Sequence, residues 1–257
     1  MMNKKIKIGI FGFGKTGRLV TNEFLQDRNF DVVWVARRTL KDHYKFASHL
    51  LGYEYERGAI YSIADIDESF FKNHFVDIIV DFSSAKGVYS YQAAAGEGIK
   101  IISAISKYNP EDIQLLESLK NDTAVLYSPN ITLGVNFLLI ASQILQKIAP
   151  HADIEIVEEH FRDKKETSGT ALKIANILGL EKDRHVNSIR VGGIVGKHEI
   201  IFGLPNQTIR LIHESFNRAA FGQGAIFAAN WLIQKKKGLF TMENIIIDMF
   251  QKNIPVC

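Results

Sequence analysis

The sequence contains a single cysteine, Cys257, among its 257 residues. One cysteine forms no disulfide within the chain and builds no cysteine-ligated metal site. A reducing compartment suits such a chain, so we expect a cytoplasmic protein. The eight histidines are scattered, and none is spaced with a carboxylate partner as in a zinc site. We therefore expect no bound metal.

Long apolar runs are also missing. The lysine-containing residues 1–7 are followed by a stretch that several glycines and Lys15 interrupt, which is unlike a signal peptide or a membrane span. The most apolar later stretch, residues 131–145, contains four polar side chains and is typical of a buried helix. We expect a protein without a membrane partner.

The excess of positive charge is small, with 31 basic and 28 acidic residues and a net charge of +3. The one lysine run, residues 235–237, is interpreted as a solvated helix end rather than a nucleic-acid patch. A mild positive excess favours anionic small molecules as ligands. The length allows one large domain or two small ones, each with its own core.

Short β-rich segments alternate with helical segments in the first half of the chain. Residues 5–11, 31–37 and 76–82 are mostly apolar, and helical patterns follow the first and the third of them. This alternation predicts an α/β fold with a doubly wound parallel sheet covered on both faces.

The pattern changes after about residue 131. A long apolar helix leads to a strand at residues 153–160, and three β-like segments, 188–194, 197–202 and 207–216, follow a further helix. We interpret these three segments as a meander in a smaller α+β domain with an open mixed sheet. The predicted domains are residues 1–130 plus 218–257, and residues 131–217.

A glycine-rich segment lies between the first strand and the first helix. Its residues are Gly12, Phe13, Gly14, Lys15, Thr16 and Gly17. A GxGxxG segment in this position binds a dinucleotide pyrophosphate at the helix N-terminus, although a plain glycine-rich turn is the alternative. After the second strand, Arg37 and Arg38 stand where NAD-preferring domains carry a carboxylate. Guanidinium groups suit a 2′-phosphate, so NADPH is expected, with NADH or a solvated basic loop as alternatives.

A second constellation follows the strand at residues 153–160. His160 ends the strand, Lys164 lies in a charged loop, and Ser168, Gly169 and Thr170 begin a helix. A helix start and a lysine attract anions, and a histidine donates a proton near neutral pH. Taken singly, His160 can be a structural histidine and Ser168 a helix cap. Together they predict a carboxylate site.

At this point the sequence resembles dihydrodipicolinate reductase, the 4-hydroxy-tetrahydrodipicolinate reductase of lysine biosynthesis. Glu158, His160, Lys164 and residues 168–171 match the family signature, and residues 81–83, 128–136, 193–198 and 221–232 match further family segments. The resemblance covers nearly the whole chain. It implies NAD(P)H-dependent reduction of a cyclic imine dicarboxylate in diaminopimelate and lysine biosynthesis.

The resemblance also implies residue roles. His160 would donate the proton, Lys164 would assist it and hold a carboxylate, and the substrate would contact Phe161 and the start of the helix. The cofactor near its nicotinamide would be lined by Ser83, Ser103, Ala104, Ile105, Ser128, Pro129, Asn130 and Ile131. The smaller domain would bind substrate and build a homotetramer through its open sheet.

Three departures from the family pattern are visible. Phe161 replaces the second histidine of a pair, the proline before Ser168 is missing, and residues 103–106 replace a Gly-Thr-Thr-Gly loop. The exact substrate therefore stays open. The alternatives are a related reductase of another imine or carbonyl acid, and a nucleotide-binding paralogue without turnover. Retention of both His160 and Lys164 favours an enzyme over the paralogue.

Overall fold

The computed structural model describes residues 4–39, 42–43 and 45–253, so Cys257 lies outside the described residues. The chain divides into two compact units. Unit 1 comprises Met1–Ile131 and Phe221–Ile245, and unit 2 comprises Thr132–Ala220 and Ile246–Cys257. Cofactor binding by the first predicted domain, and substrate binding and tetramer formation by the second, stay predictions.

Unit 1 is built on a seven-stranded parallel sheet with helices beside it. Its strands are β1 (Ile6–Phe11), β2 (Phe30–Arg37), β3 (Ala59–Ser62), β4 (Ile78–Asp81), β5 (Lys100–Ser103), β6 (Ala124–Tyr127) and β11 (Gly238–Phe240). Its helices are α1 (Lys15–Gln26), α2 (Ala47–Leu50), α3 (Glu68–Asn73), α4 (Gly87–Gly96) and α5 (Pro110–Ser118). The last two helices, α9 (Ala219–Leu232) and α10 (Met242–Asn253), contain residues of both units.

The strand order is β11-β6-β5-β4-β1-β2-β3, which confirms the predicted doubly wound Rossmann-type sheet. The strands after β1 are added on one side of it as far as β3, and β4 then begins the other side. This switch point lies between β1 and β4, where Phe11 pairs with Asp81 in parallel. Ligands of such sheets bind in the crevice outside the carboxyl ends of the strands at this switch point. All four residues of β4 are buried, as expected for a strand covered on both faces.

Unit 2 combines helices with a four-stranded mixed sheet, which confirms the predicted smaller α+β part. Its elements are α6 (Leu133–Ile148), β7 (Asp153–His160), α7 (Gly169–Ile177), α8 (Lys182–His185), β8 (Val186–Arg190), β9 (Gly196–Leu204) and β10 (Gln207–Ser215). Alternate residues of β7 are buried, from Ile154 to His160. Ile156 packs with Ile174 of α7 and Phe202 of β9 in the core of this unit. The alternation therefore places the polar Glu158 and His160 on the core side.

The predicted meander is wrong for its first strand. The sheet order is β10-β9-β7-β8, and β8 pairs with β7 in parallel, after a crossover that contains α7 and α8. Of the three predicted segments, which all lie in the described part of the chain, the last two, β9 and β10, form a hairpin. The reason is visible in the register, because Ser188 pairs with Glu158 and places a hydroxyl against its buried carboxylate. The prediction also missed the short elements β3, α2, α3, α8 and β11.

Within the described ranges, no helix has both the length and the apolar character that crossing a membrane requires.

Candidate functional site

The glycine-rich segment forms the turn between β1 and α1. Gly12 has a φ of +99°, which favours glycine, and a side chain there would meet the backbone of Phe82 and Ser83 after β4. A side chain at Gly17 would overlap the carbonyl oxygen of Gly12, so α1 packs tightly against the turn. A side chain at Gly14 would point into open space. The turn therefore exposes backbone for close approach by an anion at the N-terminus of α1.

A cleft of about 540 Å³ opens beside this turn. Gly12, Phe13 and Gly14 line it together with Arg37 and Arg38 at the end of β2. Lys15 is exposed in the first turn of α1. This cleft thus joins a phosphate-binding turn to two guanidinium groups, as expected for the adenosine-phosphate end of a dinucleotide.

The two arginines differ in their surroundings. Arg37 forms an ion pair of 3.0 Å with Asp42, while the side chain of Arg38 is exposed. Asp42 also accepts a hydrogen bond of 3.1 Å from Lys45. A carboxylate therefore does lie near the end of β2, although the sequence positions usually occupied by one carry arginines.

A second cleft, of about 450 Å³, shares the wall formed by Phe82, Ser83 and Ser84. Six residues expected at the cofactor line it: Thr16, Ser83, Ala104, Ile105, Pro129 and Ile131. Ser103 and Ser128 are buried, and their hydroxyls bond to Tyr108 at 2.8 Å and to the Asn130 carbonyl at 2.9 Å. These two serines therefore support the wall from within.

Unit 2 gathers its polar residues around the buried carboxylate of Glu158. Arg190 donates to both carboxylate oxygens at 3.0 and 2.6 Å, and Ser188 donates at 2.6 Å. The backbone N–H of Ser168 donates at 3.3 Å. Nδ1 of His160 makes a short contact with the same carboxylate. Glu158 thus connects the end of β7, the strand β8 and the start of α7.

Burial alone would raise the pKa of Glu158, but the hydrogen bonds from Arg190, Ser188 and His160 lower it to about 2. Because Glu158 is then ionised, the proton between the two side chains belongs to Nδ1 of His160. Burial lowers the pKa of His160, and the Glu158 carboxylate opposes that shift. The Nε2 atom faces Gly196, at 3.0 Å from the point where a Cβ would stand.

The start of α7 lies against the same cluster. Ser168 caps the helix by accepting from the backbone of Ala171 at 3.2 Å, and its hydroxyl lies 2.7 Å from Nε2 of His198. Burial lowers the pKa of His198 to about 3, so this ring is neutral. The Ser168 hydroxyl is therefore engaged internally. Gly169 is exposed, Thr170 is half-buried, and helix-start N–H groups are anion donors.

Arg190 also fixes the loop that carries Lys164. Its Nε donates to the Lys164 carbonyl at 2.8 Å, and Nη2 donates to the Glu166 carbonyl at 3.0 Å. Lys164 is half-buried, and Phe161 is 40% exposed directly after His160. The predicted residues His160, Lys164 and Ser168 are thus held together by shared partners.

Two family models together match nearly the whole chain: "Dihydrodipicolinate reductase, N-terminus" at residues 6–131 and "Dihydrodipicolinate reductase, C-terminus" at residues 133–246. This chain belongs to the dihydrodipicolinate reductase family. The 4-hydroxy-tetrahydrodipicolinate reductase of Buchnera aphidicola subsp. Schizaphis graminum is 29% identical, over 97% of this chain and 100% of the relative. The Rickettsia rickettsii enzyme of that name is 34% identical, over 72% of this chain and 83% of the relative.

Solved structures show the same fold. A dipicolinate-bound dihydrodipicolinate reductase from Paenisporosarcina sp. TG-14 aligns with a TM-score of 0.75 and 22% identity, over 94% of this chain and 100% of that one. An amine dehydrogenase from Mycobacterium smegmatis aligns with a TM-score of 0.61 and 10% identity, over 94% and 96% of the two chains. As a dihydrodipicolinate reductase family member, the chain is an oxidoreductase that uses a nicotinamide cofactor and a small-molecule substrate.

Sequence reasoning missed Arg190 and Ser188 altogether. Both lie on β8 two residues apart, so they share a face, as Glu158 and His160 do on β7. Alternation of polar residues on a strand carries that signal, but the pairing of β7 with β8 was needed to use it. Within the described part of the chain, no three His, Cys, Asp or Glu side chains are arranged to hold a metal ion.

Proposed function

We propose that this chain is a 4-hydroxy-tetrahydrodipicolinate reductase. It would transfer a hydride from the nicotinamide cofactor to a cyclic imine dicarboxylate, take up a proton and release water, leaving tetrahydrodipicolinate. The observation that carries the proposal is the Glu158 cluster, which joins a histidine, a lysine-bearing loop and a helix start. A dicarboxylate that accepts a hydride and a proton needs those three features: a proton donor, a cation and further anion donors.

His160 would supply the proton through Nε2. Burial lowers the pKa of His160 more than Glu158 raises it, which favours the neutral imidazole in the protein alone. The positive charge of Lys164 also lowers that pKa. A bound dicarboxylate adds negative charge and offsets Lys164, so substrate binding favours the imidazolium that donates. Glu158 keeps the ring in one orientation, and Arg190 keeps Glu158 ionised.

The substrate carboxylates would bind at the loop and at the start of α7. Lys164 would hold one of them, and Gly169 and Thr170 would hold the other through N–H and hydroxyl groups. Ser168 would act through its position as the cap, because its hydroxyl has internal partners. Phe161 would contact the substrate ring with its exposed face.

We propose NADPH as the preferred cofactor, with Arg38 contacting the 2′-phosphate. Arg38 is exposed, whereas the charge of Arg37 is balanced by Asp42 at 3.0 Å. Replacing Arg38 by Ala should therefore raise the KM for NADPH about tenfold, as expected for losing one charge-assisted bond, and leave the KM for NADH unchanged. Arg37→Ala should have the smaller effect on NADPH. Equal changes for both cofactors in Arg38→Ala would exclude this contact.

A homotetramer through the outer face of the unit 2 sheet is also proposed. That face carries exposed apolar side chains, including Ile189 at 44% and Ile212 at 55%. Large exposed apolar residues on an open sheet mark an interface. Sedimentation velocity should give a tetramer for the wild-type protein and smaller species for Ile212→Arg. A monomeric wild-type protein would contradict the proposal.

Rescue of a lysine auxotroph tests the function. A bacterial strain lacking its own 4-hydroxy-tetrahydrodipicolinate reductase should grow without lysine and diaminopimelate when it expresses this chain. The His160→Ala variant should not rescue it at equal protein level. Failure of the wild-type chain would favour the second candidate, a reductase of another imine or carbonyl acid. The exposed Phe161 favours that candidate, because a phenyl ring replaces a polar contact there.

A further inference from the structure

The residue Asp81 ends β4 and has a fully buried side chain. Its Oδ1 accepts hydrogen bonds from the backbone N–H and the hydroxyl of Ser83, at 2.8 and 2.6 Å. Its Oδ2 accepts from the hydroxyl of Tyr91 at 2.9 Å. Burying a carboxyl group costs free energy, even with three hydrogen-bond donors around it. Asp81 has no part in the chemistry assigned to unit 2.

Asp81 supports the second cleft directly. Ser83 lines that cleft, and the Asp81 carbonyl accepts from the backbone of Ala104, another lining residue, at 3.0 Å. Because the Ser83 hydroxyl donates its proton to Asp81, only its lone pairs face a ligand. Ser83 can therefore accept from a hydroxyl or an amide but cannot donate to a phosphate.

The nicotinamide half of the cofactor would lie in this second cleft. The glycine turn would bind the pyrophosphate, and the cleft beside it carries the arginines suited to an adenosine 2′-phosphate. The nicotinamide end of the dinucleotide would then enter the second cleft, which lies across the wall formed by Phe82, Ser83 and Ser84. An amide and ribose hydroxyls are the donors that Ser83 can accept from.

We propose that the Asp81 carboxylate, held behind the Ser83 wall, makes this cleft favour the oxidised, cationic nicotinamide over the reduced, neutral one. The inference rests on the proposed placement of the cofactor. The nicotinamide ring gains positive charge as it gives up its hydride. A fixed negative charge behind the cleft therefore stabilises the charge that develops during reduction of the substrate.

The ionisation of Asp81 can be controlled by pH. Burial raises its pKa to about 6, against the lowering effect of its bonds from Ser83 and Tyr91. The groups facing it are Ser83 from the turn, Tyr91 from α4 and, behind Tyr91 at 3.4 Å, Tyr108, which bonds Ser103 of β5. Burial raises the pKa of both tyrosines, so neither ionises between pH 5 and pH 8.

The effect of Asp81 on stability distinguishes a functional carboxylate from a purely structural one. Because the pKa of Asp81 is raised in the folded protein, its ionisation destabilises the fold as the pH rises through about 6. The Asp81→Asn variant keeps an acceptor for Ser83 and lets its amide donate to Tyr91. Its Tm at pH 8 should therefore be equal to or higher than that of the wild-type protein. A purely structural carboxylate would give a lower Tm.

The decisive experiment compares the Kd values of NADPH and NADP⁺ in the wild-type protein and in Asp81→Asn, by fluorescence and calorimetry. At pH 8 the ratio of the Kd for NADPH to the Kd for NADP⁺ should be roughly three- to tenfold larger in the wild-type protein than in the variant. This is the size of a screened charge interaction across the cleft wall. At pH 5 the two ratios should coincide. The phosphates are common to both ligands and cancel in the ratio.

Ser83→Ala is the matched control, because it removes the hydroxyl but keeps the charge. It should weaken both ligands similarly and leave the ratio at the wild-type value. An equal ratio in the wild-type protein and Asp81→Asn at pH 8 overturns this inference alone. If Asp81→Asn does not fold, a wild-type ratio that stays constant from pH 8 to pH 5 overturns it. If neither ligand binds the wild-type protein, the proposed function is overturned with it.

Discussion

Replacing Glu158 by Gln should slow proton donation by His160 at alkaline pH. The carboxylate contacts Nδ1 of His160 and stabilises the imidazolium, whereas an amide oxygen is a neutral acceptor. Hydrogen bonds to charged groups contribute about 1–2 kcal/mol more than neutral ones. One pKa unit corresponds to about 1.4 kcal/mol, so the pKa of the imidazolium falls by about one unit.

The kcat profile against pH is the assay. Because the protonated imidazole is the donor, activity is lost as the pH rises through its pKa. The alkaline limb of the variant should therefore lie about one pH unit lower, with about tenfold less activity on that limb. Glu159→Gln is the matched control, since Glu159 pairs with Lys197 at 2.7 Å on the other face of β7. An unshifted limb in Glu158→Gln would refute the role of Glu158.

The same substitution should cost stability. The pKa of Glu158 falls from 4.5 to about 2, so its stabilising effect is complete above pH 4.5 and is lost as the pH falls toward 2. The shift corresponds to about 3 kcal/mol, which agrees with the cost of about 3–5 kcal/mol for breaking a buried ion pair. Denaturant unfolding at pH 7 measures this difference, which should shrink toward pH 2.

Further variants separate catalysis, binding and folding. His160→Ala should lower kcat about 100-fold or more with little change in KM, whereas Lys164→Ala should lower kcat and raise KM; steady-state kinetics distinguish the two, and a wild-type kcat in His160→Ala would refute its role. Gly17→Ala should destabilise the protein by about 1–3 kcal/mol, because its Cβ would overlap the Gly12 carbonyl. Gly14→Ala should keep the Tm, since its Cβ points into the open space beside the turn, and should weaken NADPH binding. Unchanged NADPH binding by Gly14→Ala would mean that the pyrophosphate does not bind at this turn.

The parts of the fold that could be predicted have local signals. The glycines at 12, 14 and 17 mark a strand–turn–helix unit, and apolar strands such as β4 indicate a sheet covered on both faces. The partner of β8 could not be predicted, because strand pairing depends on contacts distant in the chain. Its pairing with β7 aligns Ser188 with Glu158, and the alternation of polar residues on β8 does not by itself say which strand they face.

The site was predictable to the same extent. His160 and Lys164 were found because a strand end, a loop and a helix start follow one another within a short segment. Arg190 was missed because it reaches Glu158 from 32 residues away. The buried Asp81 was noted only as a family match, since burial and the bonds from Ser83 and Tyr91 appear only in the folded protein.

We expect this chain to reduce the cyclic imine dicarboxylate and to use His160 as the proton donor. The most direct measurement is NADPH oxidation in a coupled assay, in which a dihydrodipicolinate synthase makes the unstable substrate from pyruvate and aspartate semialdehyde. We expect turnover in the usual enzyme range of about 1–1,000 per second for the wild-type protein, and a large loss of kcat in His160→Ala. NADPH binding without any turnover of this substrate would contradict it.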